Sequence, residues 1–194
     1  MPRRIYSFDQ PDRFICGTLG EPGQRTFFLQ ATKGGRVVSV ALEKAQVAAL
    51  AERLATLLLA LRQGGVEIGE EPLAGVPELA EPVVEQFRVG VLSFGWNEDR
   101  GRIVIEAREF DEDDIADEEE EEGSAVEELA GTAEVDADDE GPDVVRVQLD
   151  PPAALAFASG ALAVVQAGRP PCPQCGAPLE PTGHFCPRRN GYTH

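Results

Sequence analysis

The chain is short of the side chains on which most catalytic sites depend. Its 194 residues include two histidines, His184 and His194, one tryptophan, two tyrosines and one methionine. If His184 holds a metal, only the terminal imidazole is left, and neither a Ser-His-Asp nor a Cys-His arrangement is encoded. No Gly-x-Gly-x-x-Gly and no P-loop occurs, which excludes nucleotide sites built on those loops. The opening residues Met1-Pro-Arg-Arg-Ile-Tyr-Ser-Phe lack the apolar core of a leader peptide. The two most apolar stretches, 45–61 and 153–167, are respectively interrupted by Glu52 and Arg53 and only about 15 residues long, whereas a membrane span needs about 20. Both read as buried helices of a soluble, cytoplasmic protein.

Basic residues are also missing from one region. Residues 111–143 hold 18 of the 35 acids and none of the 17 Lys and Arg. The formal net charge of −18 therefore belongs to that segment, and the remainder balances. Like charges at such density repel and hydrate strongly, so a disordered insertion over 111–143 is expected. Within it, Ala125-Val-Glu-Glu-Leu-Ala is an apolar island suited to a short helix or a docking site. The segment as a whole is a solubilising insert or a lure for a basic protein surface.

The rest is patterned for an α+β fold. Short β-rich runs at 3–8, 14–19, 26–31 and 36–42 are separated by Pro11-Asp12, Glu21-Pro-Gly and Lys33-Gly-Gly, the punctuation of an antiparallel meander. A helix follows over about 43–62, ended by Gly64-Gly65. A connector rich in proline and acids spans 66–82. The order then recurs: strands at 87–92, 102–107 and 144–149, then an Ala-rich helix at about 152–166. Gly90 can be laid on Gly17, and Arg102-Ile-Val-Ile-Glu-Ala on Thr26-Phe-Phe-Leu-Gln-Ala. The expectation is a two-fold repeat of a meander plus a helix, the acidic insertion occupying a turn of the second unit. Residues 1–168 form this body and 169–194 a separate knuckle.

The knuckle carries the strongest motif. Cys172-Pro-Gln-Cys175-Gly176 places two thiolates across a tight turn, and His184-Phe-Cys186 puts two further donors on one side of an extended strand. Three thiolates and an imidazole make a closed set for one structural zinc ion and leave no open position for a catalytic water. His194 is the alternative fourth ligand. Cys16, alone in a strand, reads as a buried, inert thiol. A redox use of Cys172 and Cys175 would leave His184 and Cys186 unexplained.

The stretches Arg4-Ile-Tyr-Ser-Phe-Asp-Gln-Pro-Asp-Arg-Phe, Arg25-Thr-Phe-Phe-Leu-Gln-Ala and the closing Cys-Pro-x-Cys-Gly-x-Pro-Leu with Gly-His-x-Cys-Pro-Arg-x-Asn-Gly-Tyr resemble an actinobacterial family of unknown function. The resemblance covers nearly all the chain outside 111–143 and implies no assigned activity. The residues favour a non-catalytic interaction or adaptor protein with an unidentified protein partner. Its candidate contacts are Trp96, in an expected turn over 94–101, and Arg188, Arg189 and Tyr192 beside the metal set. A nucleic-acid or nucleotide site using Arg188 and Arg189 is the second reading, although the acidic insertion would repel phosphate. An enzyme site at the interface between the repeats is the third. A dimer is compatible with two apolar helices and a partly open sheet.

Overall fold

A computed structural model of the chain describes residues 3–21, 24–70, 75–111, 126–128, 141–167 and 174. Where β-branched and aromatic residues cluster, the chain pairs as strands: β1 (Ile5–Asp9), β2 (Arg13–Leu19), β3 (Thr26–Lys33), β4 (Arg36–Leu42), β5 (Glu85–Asn97), β6 (Arg102–Glu109), β7 (Val126–Glu128) and β8 (Val144–Leu149). Where Ala and Leu recur at helical spacing, two helices form: α1 (Lys44–Gln63) and α2 (Pro151–Gln166). The fold is α+β.

The strands lie in the order β1-β8-β6-β5-β4-β3-β2, with β7 on β5 outside this path. β2, β3 and β4 pair antiparallel, and so do β5, β6 and β8. The seam between these groups, β4 against β5, is parallel. Each half thus runs three antiparallel strands followed by a helix. β1 corrects the sequence reading, which put it at the head of the first meander. It pairs parallel with β8 at the far edge of the sheet, Ile5 opposite Val144. Local alternation marks a segment as a strand and leaves open which edge it covers.

The register corrects a second expectation. Gly17 faces Phe28 across β2 and β3. The residue facing Val104 across β5 and β6 is Gly95, rather than the Gly90 aligned with Gly17 by sequence. β5 is 13 residues long and carries an irregularity between Val89 and Val91, so its second half supplies this pairing.

One face of the sheet and both helices share a core that includes Phe14, Leu29, Val40, Phe94, Ile105 and Val147. The helices pack on one another. α1 buries Leu50, Leu54 and Leu58, while α2 buries Ala154, Ala158 and Ala161 around Phe157. Large residues on one helix and small ones on the other bring the axes close, and each buried leucine contributes about 1.5–3 kcal/mol. Phe157 stacks on Phe14 at 4.5 Å, tying α2 to β2.

On the opposite face, the connector crosses the first half. The Gln30 amide donates to Ser39 Oγ and to the Ala80 carbonyl, both at 3.0 Å, and accepts from the Ala80 N–H at 2.7 Å. Leu79 lies so close that a Cβ on Gly17 would sit 2.5 Å from its Cγ, so a side chain there would force Leu79 to shift. In the second half, the matching cross-strand position holds an ion pair, Glu106 with Arg146.

The long link between β6 and β8 is closed at its root. Glu109 N–H donates to the Asp143 carbonyl at 2.8 Å, and Asp143 pairs with Arg4 at 3.0 Å. Within the link, Val126–Glu128, the described part of the apolar island, is an extended strand, which corrects the expectation of a short helix there.

Candidate strand-docking site

β5 is longer than any single neighbour, and its edge facing away from β6 is covered in three stages. β4 pairs first, at Glu85 and Arg88, and then turns into α1. Next, the carbonyls of Val89 and Gly90 accept from the Gln46 side chain at 3.3 and 2.8 Å. The same side chain accepts from the Glu43 N–H at 2.9 Å and so also caps α1. Finally, β7 pairs parallel with β5: Val126 opposite Leu92, Glu127 opposite Ser93 and Glu128 opposite Phe94.

Two features seat β7 besides its ladder. The Val126 side chain is 2% exposed and belongs to the core. The Arg53 guanidinium, reaching from α1, donates to the Val126 carbonyl. Burying one valine contributes about 2 kcal/mol and each ladder hydrogen bond about 1 kcal/mol. Ordering each residue costs about 1–2 kcal/mol. For the three described residues of β7, these contributions nearly cancel. Beside it lies a cavity of about 380 Å³ whose described lining is Arg53, Thr56, Leu57, Ala60 and Phe94.

Trp96 follows Phe94, which lines this cleft, by two residues along β5. The sequence put it in a turn over 94–101. In the structure it is a β5 residue paired with Ile103, half-buried and packed against the core. The turn is shorter: Asn97 Oδ1 accepts from the Arg100 N–H at 3.0 Å, and Gly101 takes φ 61°. Gly95 and Asn97 read as turn formers, but Gly95 is buried within the pleat. Trp96 thus follows Phe94 by two residues on the same strand and shares its side of the sheet.

A second cavity, about 320 Å³, lies between β2, the connector and α2. Its lining includes Phe14, Pro77, Ala153 and Phe157, with Asp12 and Arg13 at one end. Asp12 already accepts from the Gly34 N–H at 2.8 Å. Cys16 also lines it, fully buried, its thiol pushed up to about 12 by desolvation. A thiol in that state is a weak nucleophile at neutral pH.

The expected zinc ligands Cys172, Cys175, His184 and Cys186 lie outside the described residues, as do Arg188, Arg189, Tyr192 and His194. Among the described residues there is no group of three or more His, Cys, Asp or Glu able to hold a metal. Nor is any described helix long and apolar enough to cross a membrane.

Sequence reasoning passed over Arg53 and Gln46, which structure the β5 edge. Their signals were a cation inside an otherwise apolar helical stretch and a glutamine at the third position of the helix that follows β4.

A family model described as "Protein of unknown function (DUF3090)" matches residues 6–186, and the chain belongs to that family. Neither a curated protein nor a solved structure matches it.

Proposed function

We propose that this is a non-catalytic, cytoplasmic interaction protein that binds an extended segment of a protein partner along the β5 edge. A structural zinc ion at Cys172, Cys175, His184 and Cys186 organises its C-terminus. The observation supporting the reading is that the edge beyond β4 already holds a strand, through backbone pairing, a buried side-chain socket and the Arg53 hydrogen bond. Strand addition of this kind takes affinity from the backbone and specificity from the socket. The zinc reading is supported by ligand type and spacing, which suit a closed tetrahedral site and a segment too short to bury a core.

The test is retention of a partner from native-host extract by the full-length tagged protein. Ala60→Arg places a bulky cation in the cleft on an exposed helical position, and Ala55→Arg adds the same charge at another exposed position of α1. One defined protein, kept by Ala55→Arg and lost by Ala60→Arg, is the expected result. Retention of only nucleic acid or a small molecule overturns the reading. Zinc is tested separately by metal analysis of the purified protein: about one equivalent is expected, lost in Cys175→Ser.

A further inference from the structure

We infer that the cavity between β2, the connector and α2 binds an apolar carboxylate, its body against Phe14 and Phe157 and its charge on Arg13. The site is separate from the β5 edge and independent of the interaction role.

A comparison of the two halves shows how the space arises. Gln46 and Arg53, the third and tenth residues of α1, reach the β5 edge, the first to the Gly90 carbonyl and the second to that of Val126. The third and tenth residues of α2 are Ala153 and Gly160. The helices match at these places, since Leu50 and Phe157 are both the seventh residue and both buried, as are Leu54 and Ala161, both the eleventh. The strands match as well: Phe94 precedes Gly95 in β5 as Cys16 precedes Gly17 in β2. Where the second half has glutamine, arginine and phenylalanine, the first therefore has alanine, glycine and cysteine. All three smaller residues line the cavity of about 320 Å³, a volume at the lower end of those that hold small molecules.

The lining is divided in character. Phe14, Leu149, Phe157 and Pro77 form apolar walls, and the stacked rings of Phe14 and Phe157 make a flat, rigid surface. The polar end holds Asp12 and Arg13. Asp12 is engaged by the Gly34 N–H, whereas the Arg13 guanidinium makes no hydrogen bond or ion pair with a described residue. A guanidinium matches a carboxylate in charge and in its planar, two-pronged geometry. The apolar body of such a ligand gains free energy by leaving water for the aromatic wall. A cation of the same shape would meet Arg13 unfavourably, and an uncharged molecule would leave it unmatched.

The experiment titrates the full-length protein with decanoate, below its micelle concentration, and follows the amides of Phe14, Ile15 and Cys16 by NMR. Decanol and decylammonium carry the same chain with no charge and with a positive one. The expected result is shifts centred on those amides, with decanoate binding about tenfold tighter than decanol, the worth of a charge-assisted hydrogen bond, and decylammonium binding most weakly. Arg13→Gln should remove the preference for decanoate over decanol and leave decanol binding unchanged. Ala156→Phe puts a ring into the cavity from an exposed position of α2 and should abolish binding of both. Ala55→Phe makes the same change at an exposed position of α1 and should leave binding intact. All three substitutions replace exposed residues, so the fold is kept. Equal affinity for the three amphiphiles, shifts centred elsewhere, binding indifferent to Arg13→Gln or to Ala156→Phe, or no binding at all overturns the inference.

Discussion

The two halves of the sheet solve the same construction differently. In the first, β3 turns into β4 through Gly34 and Gly35, at φ 56° and 82°, conformations open to glycine. In the second, the corresponding link runs from Phe110 to Asp143 and sends β7 back onto β5. In the first half, a buried glutamine matches both polar groups of a crossing backbone. In the second, the equivalent cross-strand place holds Glu106 and Arg146, at 12% and 14% exposure. A tight turn and a neutral, fully bonded amide suit a face sealed by the chain's own connector. In the second half a long link returns β7 to β5, and a charged pair takes the place of the amide. The difference teaches that one strand order can be closed by links of very different length and chemistry.

The largest test of that contrast lies in the helices. Leu54 on α1 is fully buried in the shared core. Leu54→Ala should cost about 2–5 kcal/mol in chemical denaturation, because a close-packed core relaxes only partly into the space left. The outer-face contrast comes next. Gln30→Leu strands both polar groups of Ala80 and should cost about 2–4 kcal/mol. Glu106→Gln, at the matching place, should cost about 1–2 kcal/mol and do so less at high salt. Equal, salt-independent losses at the two sites would erase the distinction.

A third contrast is between Cys16 and Phe94, which face Leu29 and Ile105 respectively. Burial raises the Cys16 thiol from 9.0 to about 12. Above pH 9 the unfolded chain loses this proton while the folded chain keeps it, so the unfolded state binds fewer protons and stability falls as pH rises. The loss should reach about 1.4 kcal/mol per pH unit between roughly pH 9 and 12. Cys16→Ala should remove that slope in urea titrations at pH 8, 9 and 10, whatever its effect at neutral pH.

The smallest expected effect concerns the link. Replacing residues 112–140 by a short Gly-Ser turn should change stability by less than about 1 kcal/mol. The shorter loop closes more easily, while the β7 contacts are lost. A large loss would mean that the link contributes more than the nearly cancelling terms of β7.

Much of this was readable in the sequence, element by element. The strands at 26–33, 36–42, 102–109 and 144–149 and both helices follow from runs of β-branched residues and from Ala-Leu spacing. What escaped depends on distant partners. Nothing local to Ile5–Asp9 says that it pairs with β8, and nothing in Leu42 or Glu85 says that their strands meet in parallel. Trp96 was misplaced because glycine and asparagine flank it, and these residues mark turns unless a long strand overrides them. Val126 stood out as apolar among acids, but its conformation is set by the open edge of β5 and by Arg53, a side chain 73 positions away. Acidic repulsion argues against order on average, and one buried valine suffices locally against it.

The pairing of β1 with β8 has a consequence for how the chain is made. Ile5 is synthesised early, yet its neighbour Val144 emerges far later. By then β2, β3, β4 and α1 have all been available to fold. Because contacts of long sequence separation form slowly, β1 must wait for β8 before it can pair, and until then its backbone depends on solvent or a chaperone for cover.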